Sequence, residues 1–305
     1  MTKARTAIVK GENPVSMTKQ ALELINARAA VSPGDRVLIK PNCVVPKHPS
    51  TGVTTDPRVV EAIIEFVKTC GARSITVGEG GNPKTDEAFD ITGLREVAFK
   101  HNVKLVNFNN DEGVEVKIPG GKALRKVVVA RTALESTCIV NVPKLKIHHM
   151  AQVTLSIKNL MGFIVGNRGA VMHVDIDEKL VDLASLIRPK LNIIDGIVGS
   201  EMDEVLGHPV PMNVIIAGKD IVATDAVGSA VMGLNPKTVR HIRLAEERGL
   251  GIVDLEEVEV VGEAIESVGK KFSRELSEEK LKRFYGLSEA TVSRRKLRKL
   301  WENMS

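Results

Sequence analysis

The chain has 305 residues, 43% of them apolar but only 3% aromatic, so aliphatic side chains must build its core. That length admits one large α/β domain or two smaller lobes, and the composition argues against disorder and low-complexity architecture. The formal charge of +5 is concentrated at the end: residues 270–305 hold 11 Lys and Arg against 5 Asp and Glu, which leaves the body near neutrality.

No stretch approaches the length of an apolar membrane span, and residues 1–10 lack the apolar centre of a secretory signal, so a cytoplasmic protein is the expectation. Cys43, Cys70 and Cys138 include no C-x-x-C pair, which argues against a disulfide framework and against a self-contained cysteine-ligated zinc or iron–sulfur site.

In chain order, residues 7–9 form a short apolar run and residues 17–29 repeat apolar side chains at helical spacing. A turn at 32–35 leads to a buried strand over 37–39 that ends at Lys40-Pro41-Asn42. Asp56 as N-cap and Pro57 at the first helical position start a helix that runs to about Cys70, where Gly71 stops it. Residues 74–77 form the next strand, followed by Gly78-Glu79-Gly80-Gly81. Strands over 103–108 and 114–118 precede apolar runs at 127–129 and 138–140, after which residues 141–149 read as a strand end passing into a polar loop. Residues 152–164 suit either helix or strand.

The alternation resumes with a helix over 180–187, strands over 191–194 and 213–217, helices over 220–232 and 238–248, and a last strand over 258–261. The charged segment 277–302 is expected to form amphipathic helices outside the sheet. Strands separated by helices predict an α/β fold of parallel β-α-β units in two lobes, 1–135 and 136–268, with a C-terminal basic helical tail over 269–305.

Ligands of open α/β sheets bind beyond the carboxyl ends of the strands. That rule selects Lys40-Pro41-Asn42, the glycine-rich stretch at 78–81, and residues 143–149 and 195–201. The glycine-rich stretch is neither G-x-G-x-x-G nor a Walker P-loop, so it carries little nucleotide signal. The densest set is Lys144, Lys146, His148, His149, Thr154 and Lys158, all within 15 residues and followed by Asn159 and Gly162. Lysine ammoniums suit a carboxylate or phosphate, and a histidine moves protons near neutral pH. Adjacent histidines on a strand point to opposite sides, so at most one of His148 and His149 is expected to face a given ligand. Arg168 and His173 lie in a glycine-containing loop further on, and with His48 and His208 they are candidates for a metal site. Cys43 beside Asn42 is a candidate nucleophile, although a buried inert thiol is commoner.

Several of these segments recur in order. Lys40-Pro41-Asn42, Thr55-x-Pro57, Asn141-x-Pro143-Lys144-x-Lys146-x-His148 and Thr154-x-Ser156-x-Lys158-Asn159-x-x-Gly162 are followed by Arg168, His173, Asp195-Gly196 and Ala217-Gly218-x-Asp220-x-Val222-Ala223-x-Asp225. Over roughly residues 5–255 this pattern closely resembles the uncharacterised DUF362 family. Some members carry ferredoxin-type cysteine clusters, which this chain lacks, so an iron–sulfur role is not carried over. Members usually show a glycine-rich segment after the Asp-Gly pair; here Ser200-Glu201-Met202-Asp203-Glu204 replaces much of it, so no phosphate cradle is carried over there. The layout is also similar to that of the lactate racemase family, with no catalytic residue matched position by position.

The expectation is an enzyme-like protein that binds a small carboxylate or phosphate ligand in a cleft between the lobes. His148, His173 and Lys158 are expected to move protons, with Lys40, Asn42, Lys144, Lys146, Asn159 and Arg168 binding the ligand. The reaction is left open between an isomerase or lyase type and an oxidoreductase, and neither cofactor nor metal is specified. One alternative is a redox or cofactor-handling protein that works with a separate iron–sulfur partner. Another is a nucleic-acid- or protein-binding module using the basic tail, against which the few aromatics and the neutral body argue. The tail is also where a homo-oligomer would form.

Overall fold

The computed structural model describes residues 3–274, so the helical segment expected over 277–302 lies outside the described residues. β1 (Ala4–Lys10) is followed by α1 (Pro14–Leu24), whose N-cap Asn13 accepts the N–H groups of Val15 and Ser16. β2 (Arg36–Lys40) leads to α2 (Pro57–Thr69), started as expected by Asp56 and Pro57. Next come β3 (Ser74–Glu79), α3 (Thr85–Ile91), α4 (Leu94–His101) and β4 (Lys104–Asn107). β5 (Gly113–Lys117) and β6 (Lys126–Ala130) form a separate antiparallel pair before the short α5 (Arg131–Glu135).

β7 (Cys138–Asn141), β8 (Lys144–His148) and β9 (Gln152–Thr154) precede α6 (Ser156–Asn159), α7 (Arg168–Met172) and α8 (Ile176–Leu186). β10 (Leu191–Glu201) and β11 (His208–Gly218) form a long hairpin. Then follow α9 (Ile221–Val231), α10 (Arg240–Glu247), β12 (Val258–Gly262) and α11 (Ile265–Val268). Among the described residues no helix is long and apolar enough to cross a membrane.

The main sheet runs β12-β1-β11-β10-β7-β2-β3-β4 and is parallel from β4 to β10, with β11 antiparallel beside β10. β2 pairs with β7, so strands from both sides of residue 135 share this sheet. Its two faces are both covered. Ile193 and Ile215 point into the cluster with Leu22, Ile63 and Phe89, while Ile194 and Ile216 point into the cluster with Leu180, Val227 and Ile242. Successive residues therefore feed opposite cores, which is why these strands read as continuous apolar runs rather than alternating ones.

Two differences from the sequence-based expectation shape the site. The strand expected over 191–194 continues to Glu201, so Asp195-Gly196 lies inside β10 rather than at its end. Residues 144–148, expected in a polar loop, are a fully buried strand. Both differences have one cause. The chain leaves β7 at Asn141, is interrupted at Val142-Pro143, and resumes as β8 alongside the same β10, with Lys144 in register with Asp195. Lys144 Nζ lies 2.7 Å from Asp195 Oδ2, and neither side chain is exposed. Asp195 also accepts the N–H of Asp56 at 2.7 Å and that of Ile197 at 2.9 Å. One carboxylate thus joins β8, β10 and the cap of α2, and an apolarity pattern cannot register such a buried pair.

Removing one partner of a buried pair strands the other charge. Asp195→Ala should therefore lower the urea unfolding free energy by about 3–5 kcal/mol. The double variant Asp195→Asn with Lys144→Met should recover part of that loss, because no charge is then left buried.

Candidate functional site

Three parallel strands end at one place. β2 delivers Lys40 and β3 delivers Glu79, with Lys40 Nζ 2.7 Å from Glu79 Oε2 and both side chains buried. Lys40 Nζ also donates to Pro41 O at 2.9 Å and Asn159 Oδ1 at 3.2 Å. Asn159 Oδ1 accepts from Asn42 Nδ2 at 2.9 Å, while its Nδ2 donates to Asn141 Oδ1 at 2.8 Å. Asn42 Oδ1 in turn accepts from Lys146 Nζ at 2.8 Å. An unbroken polar chain thus runs from Glu79 through Lys40, Asn159 and Asn42 to Lys146. It leaves no room for a side chain at Gly162, where a Cβ would fall 2.6 Å from Lys40 Nζ.

Beyond this network lies a cavity of about 260 Å³ lined by Lys40, Asn42, Glu79, Lys146, His148, Thr154, Lys158, Asn159, Gly162, Arg168, His173 and Glu204, among others. Lys146 Nζ is anchored by Asn42 and by the carbonyls of Val53 at 2.8 Å and Glu204 at 3.1 Å. Burial brings its pKa down to about 7, with Lys158 and Lys144 adding to the shift and Glu204 opposing it. Lys158 sits on α6, whose first N–H groups, from Ser156 and Ile157, are both held by the Asp225 carboxylate at 2.7 and 2.9 Å. Burial brings Lys158 down to about 8, opposed by Glu204 and helped by Lys40 and Arg168. Asp225 itself is raised to about 6 by burial. Arg168 bonds Asn109 through Nη2, but its buried Nε and Nη1 meet no acceptor among the described residues.

The histidines depart from expectation in a useful way. β8 ends at His148, so His149 leaves the strand and the two rings stack, 4.9 Å between centroids, instead of pointing apart. Both converge on Glu204 at the tip of the β10–β11 hairpin: His149 Nδ1 lies 2.6 Å from Glu204 Oε1, and His148 Nε2 lies 3.8 Å from the same oxygen. His148 borders the cavity and His149 does not. His148 Nδ1 accepts the N–H groups of Met150 and Ala151 at 3.1 and 3.2 Å. Burial also holds its pKa well below 6.5, with Lys158 adding to the shift. The ring is therefore neutral with its proton on Nε2, an assignment made from the hydrogen-bond network. It is a hydrogen-bond donor toward the cavity. His173 is also lowered, mainly by burial and then by Lys158, whereas His149 is raised: burial pulls it down, but its bond to Glu204 and the charges of Glu204 and Asp203 together outweigh that.

His148, His149 and Glu204 bring ligand atoms within 4.8 Å of one another. The donor set does not suit a divalent cation. With Nδ1 occupied by two N–H donors, His148 presents N–H and not a lone pair at Nε2, and cationic Lys158 raises the local potential. His48 bonds Ser50 through Nδ1, His208 opens β11, and neither borders the cavity. Cys43 is buried and its thiol is pushed up by burial and by Glu79, the opposite of an activated nucleophile.

Of the residues singled out from sequence, Lys40, Asn42, Lys146, His148, Lys158, Asn159, Arg168 and His173 border this cavity. Lys144 does not: it is spent on Asp195. Glu204 was missed, because nothing in its sequence neighbourhood indicates that a hairpin tip reaches back over the strand ends. Glu79 stood in a segment read chiefly for its glycines; a buried Lys40 demanding a carboxylate was the signal available for it.

Residues 37–230 match the family model described as "Domain of unknown function (DUF362)". The chain belongs to the DUF362 family. This DUF362 chain is 28% identical over 231 residues to the thylakoid-associated protein sll1697 of Synechocystis sp., covering 72% of this chain and 70% of that protein. Among solved structures it is similar to the lactate racemase apoprotein from Thermoanaerobacterium thermosaccharolyticum, with a TM-score of 0.44 and 14% identity. That match covers 81% of this chain and 57% of the racemase.

The depressed lysines make the stability of this DUF362 chain pH-dependent. Lys146 and Lys158 release their protons near pH 7 and 8 when folded but near 10.5 when unfolded, so between those limits the unfolded chain binds more protons and stability rises with pH. Each group adds a slope of up to about 1.4 kcal/mol per pH unit. Urea unfolding at a series of pH values from 7 upward should show this rise, and Lys158→Met should reduce its slope above pH 8 to about half, the share of Lys146. A flat wild-type profile would mean that both ammoniums stay protonated in the fold.

Proposed function

We propose that this DUF362 chain is an enzyme that binds a small carboxylate or phosphate in the strand-end cavity and moves a proton on it. One observation carries the reading. Lys146, Lys158 and Arg168 border the same buried space, and among the described residues none has a carboxylate within ion-pair distance, whereas Lys40 and Lys144 are each matched by one. Buried like charges raise one another's free energy, and an anion entering the cavity relieves that cost. A volume near 260 Å³ suits a small metabolite rather than a nucleotide.

Within this reading Arg168 binds the anion, Lys146 contributes charge from beside the cavity with its own N–H groups held by three oxygens, and His148 donates its Nε2 proton in a hydrogen bond, as a neutral electrophilic histidine does. His173, held below the usual histidine range, is the group able to accept a proton near neutral pH, and Lys158 joins it once its own proton is released above about pH 8. The role expected for His148 from sequence is thereby narrowed to donation. The cytoplasmic placement and the tail-mediated assembly expected from sequence belong to the same proposal.

Inorganic phosphate and malonate serve as probes by differential scanning fluorimetry and calorimetry. Both should stabilise the wild-type fold, and Arg168→Ala should weaken binding roughly ten- to hundredfold, the worth of a charge-assisted hydrogen bond. Equal thermal shifts in wild type, Arg168→Ala and Lys158→Ala would overturn the proposal. Affinity should also fall as pH rises through 7 and 8, because the binding form carries protons on Lys146 and Lys158. Calorimetry in buffers of different ionisation enthalpy should show proton uptake on binding.

A further inference from the structure

We infer that Lys158 is a carbonyl-directed nucleophile and that the cavity takes a small 2-oxo acid, which Lys158 captures as an imine. The inference rests on the anion-binding reading above and adds to it a substrate class and a covalent step.

The buried lysines of this region differ in what they hold. Lys40 has Glu79, Pro41 and Asn159; Lys144 has Asp195; Lys146 has three oxygen acceptors. Lys158 borders the cavity, is 9% exposed, and donates to no acceptor among the described residues. A lysine buried for structure carries acceptors, because an unmatched ammonium is costly there. Its attachment is nonetheless rigid. Asp225 pins the two residues before it, and Asn159, the residue after it, is locked by Lys40, Asn42 and Asn141. An amine held still, desolvated and beside other cations is the environment that makes lysine nucleophilic. The depressed pKa agrees with that environment.

The remaining cavity groups indicate what the amine would meet. Arg168 has two buried nitrogens, Nε and Nη1, unmatched among the described residues; they lie on different edges of the guanidinium and each offers an N–H to an anion. The Thr154 hydroxyl is also buried without a partner among those residues, and His148 presents a neutral N–H suited to a carbonyl oxygen. A ligand with a carboxylate next to a ketone uses an Arg168 N–H, the His148 N–H and the amine together.

In the step, the Lys158 nitrogen lone pair forms a bond to the ketone carbon and the C=O π pair passes to oxygen, which takes a proton. The carbinolamine then loses that oxygen as water while nitrogen releases its protons. One amine and one ketone give one imine and one water, with no oxidant or reductant consumed. The C–H beside the imine carbon is acidified, which connects this step to the proton transfer proposed for the site.

The full chain is incubated with pyruvate and cyanoborohydride at about pH 8, where half of Lys158 is free amine, and the product is read by intact mass and peptide mapping. A reduced pyruvyl adduct should map to Lys158, vanish in Lys158→Arg, and form roughly tenfold more slowly in Arg168→Ala. The wild-type map decides the matter whether or not the variants fold. Labelling spread over surface lysines, or no adduct while pyruvate or phosphate still stabilises the fold, would overturn the imine and leave anion binding standing. Neither adduct nor stabilisation would overturn both.

Discussion

Ammonium groups buried at the ends of parallel strands are the constraint around which this structure is arranged. A buried charge must be paired, bonded to neutral oxygens or deprotonated, and the lysines here divide among these outcomes. Lys40 and Lys144 are paired with Glu79 and Asp195. Lys146 rests on amide and carbonyl oxygens, and Lys158 is left to the cavity. Each solution draws in a different element. Glu79 ends β3, Asp195 lies within β10 and reaches the cap of α2, and Asn159 belongs to α6. The polar network therefore joins the strand ends to one another, while the two apolar cores cover the sheet faces.

Fold class was legible because both faces of the sheet are covered. Its strands read as compact apolar runs, its helices are marked by signals such as Asp56-Pro57, and their alternation implies parallel pairing. The same reasoning failed wherever polarity is buried. Lys144, Lys146 and His148 made β8 look like a surface loop, when each is satisfied inside. Strand-end logic placed Lys40, Asn42 and Lys146 near one another, the dense run of cations added Lys158, and the cavity brings them together. It placed Lys144 there too, since spacing along a chain cannot distinguish a lysine that meets a ligand from one matched internally by Asp195. Glu204 had no local signal at all: its position depends on two strands of 11 residues carrying the turn far beyond the point where Asp195-Gly196 was expected to end the sheet.

The tautomer of His148 shows how backbone geometry assigns chemistry. Two N–H groups of the turn after β8 occupy Nδ1, so the ring's remaining proton faces the cavity. A histidine in the same place without that turn would be a base. The Asp225 carboxylate acts comparably on Lys158: it touches no cavity atom, yet it decides where the amine can reach by gathering the N–H groups of α6. Secondary contacts of this kind explain why the chemistry is not visible in any single motif.

The connection between β10 and β11 is short, residues 202–207, and it supplies Glu204 from outside the sheet. Of the cavity lysines, Lys146 also rests on this connection through the Glu204 carbonyl, whereas Lys40 and Lys158 are mounted on the strands and α6 alone. Floor and rim of this cavity are thus built by different parts of the chain, strand ends and α6 on one side and a connection between two long strands on the other.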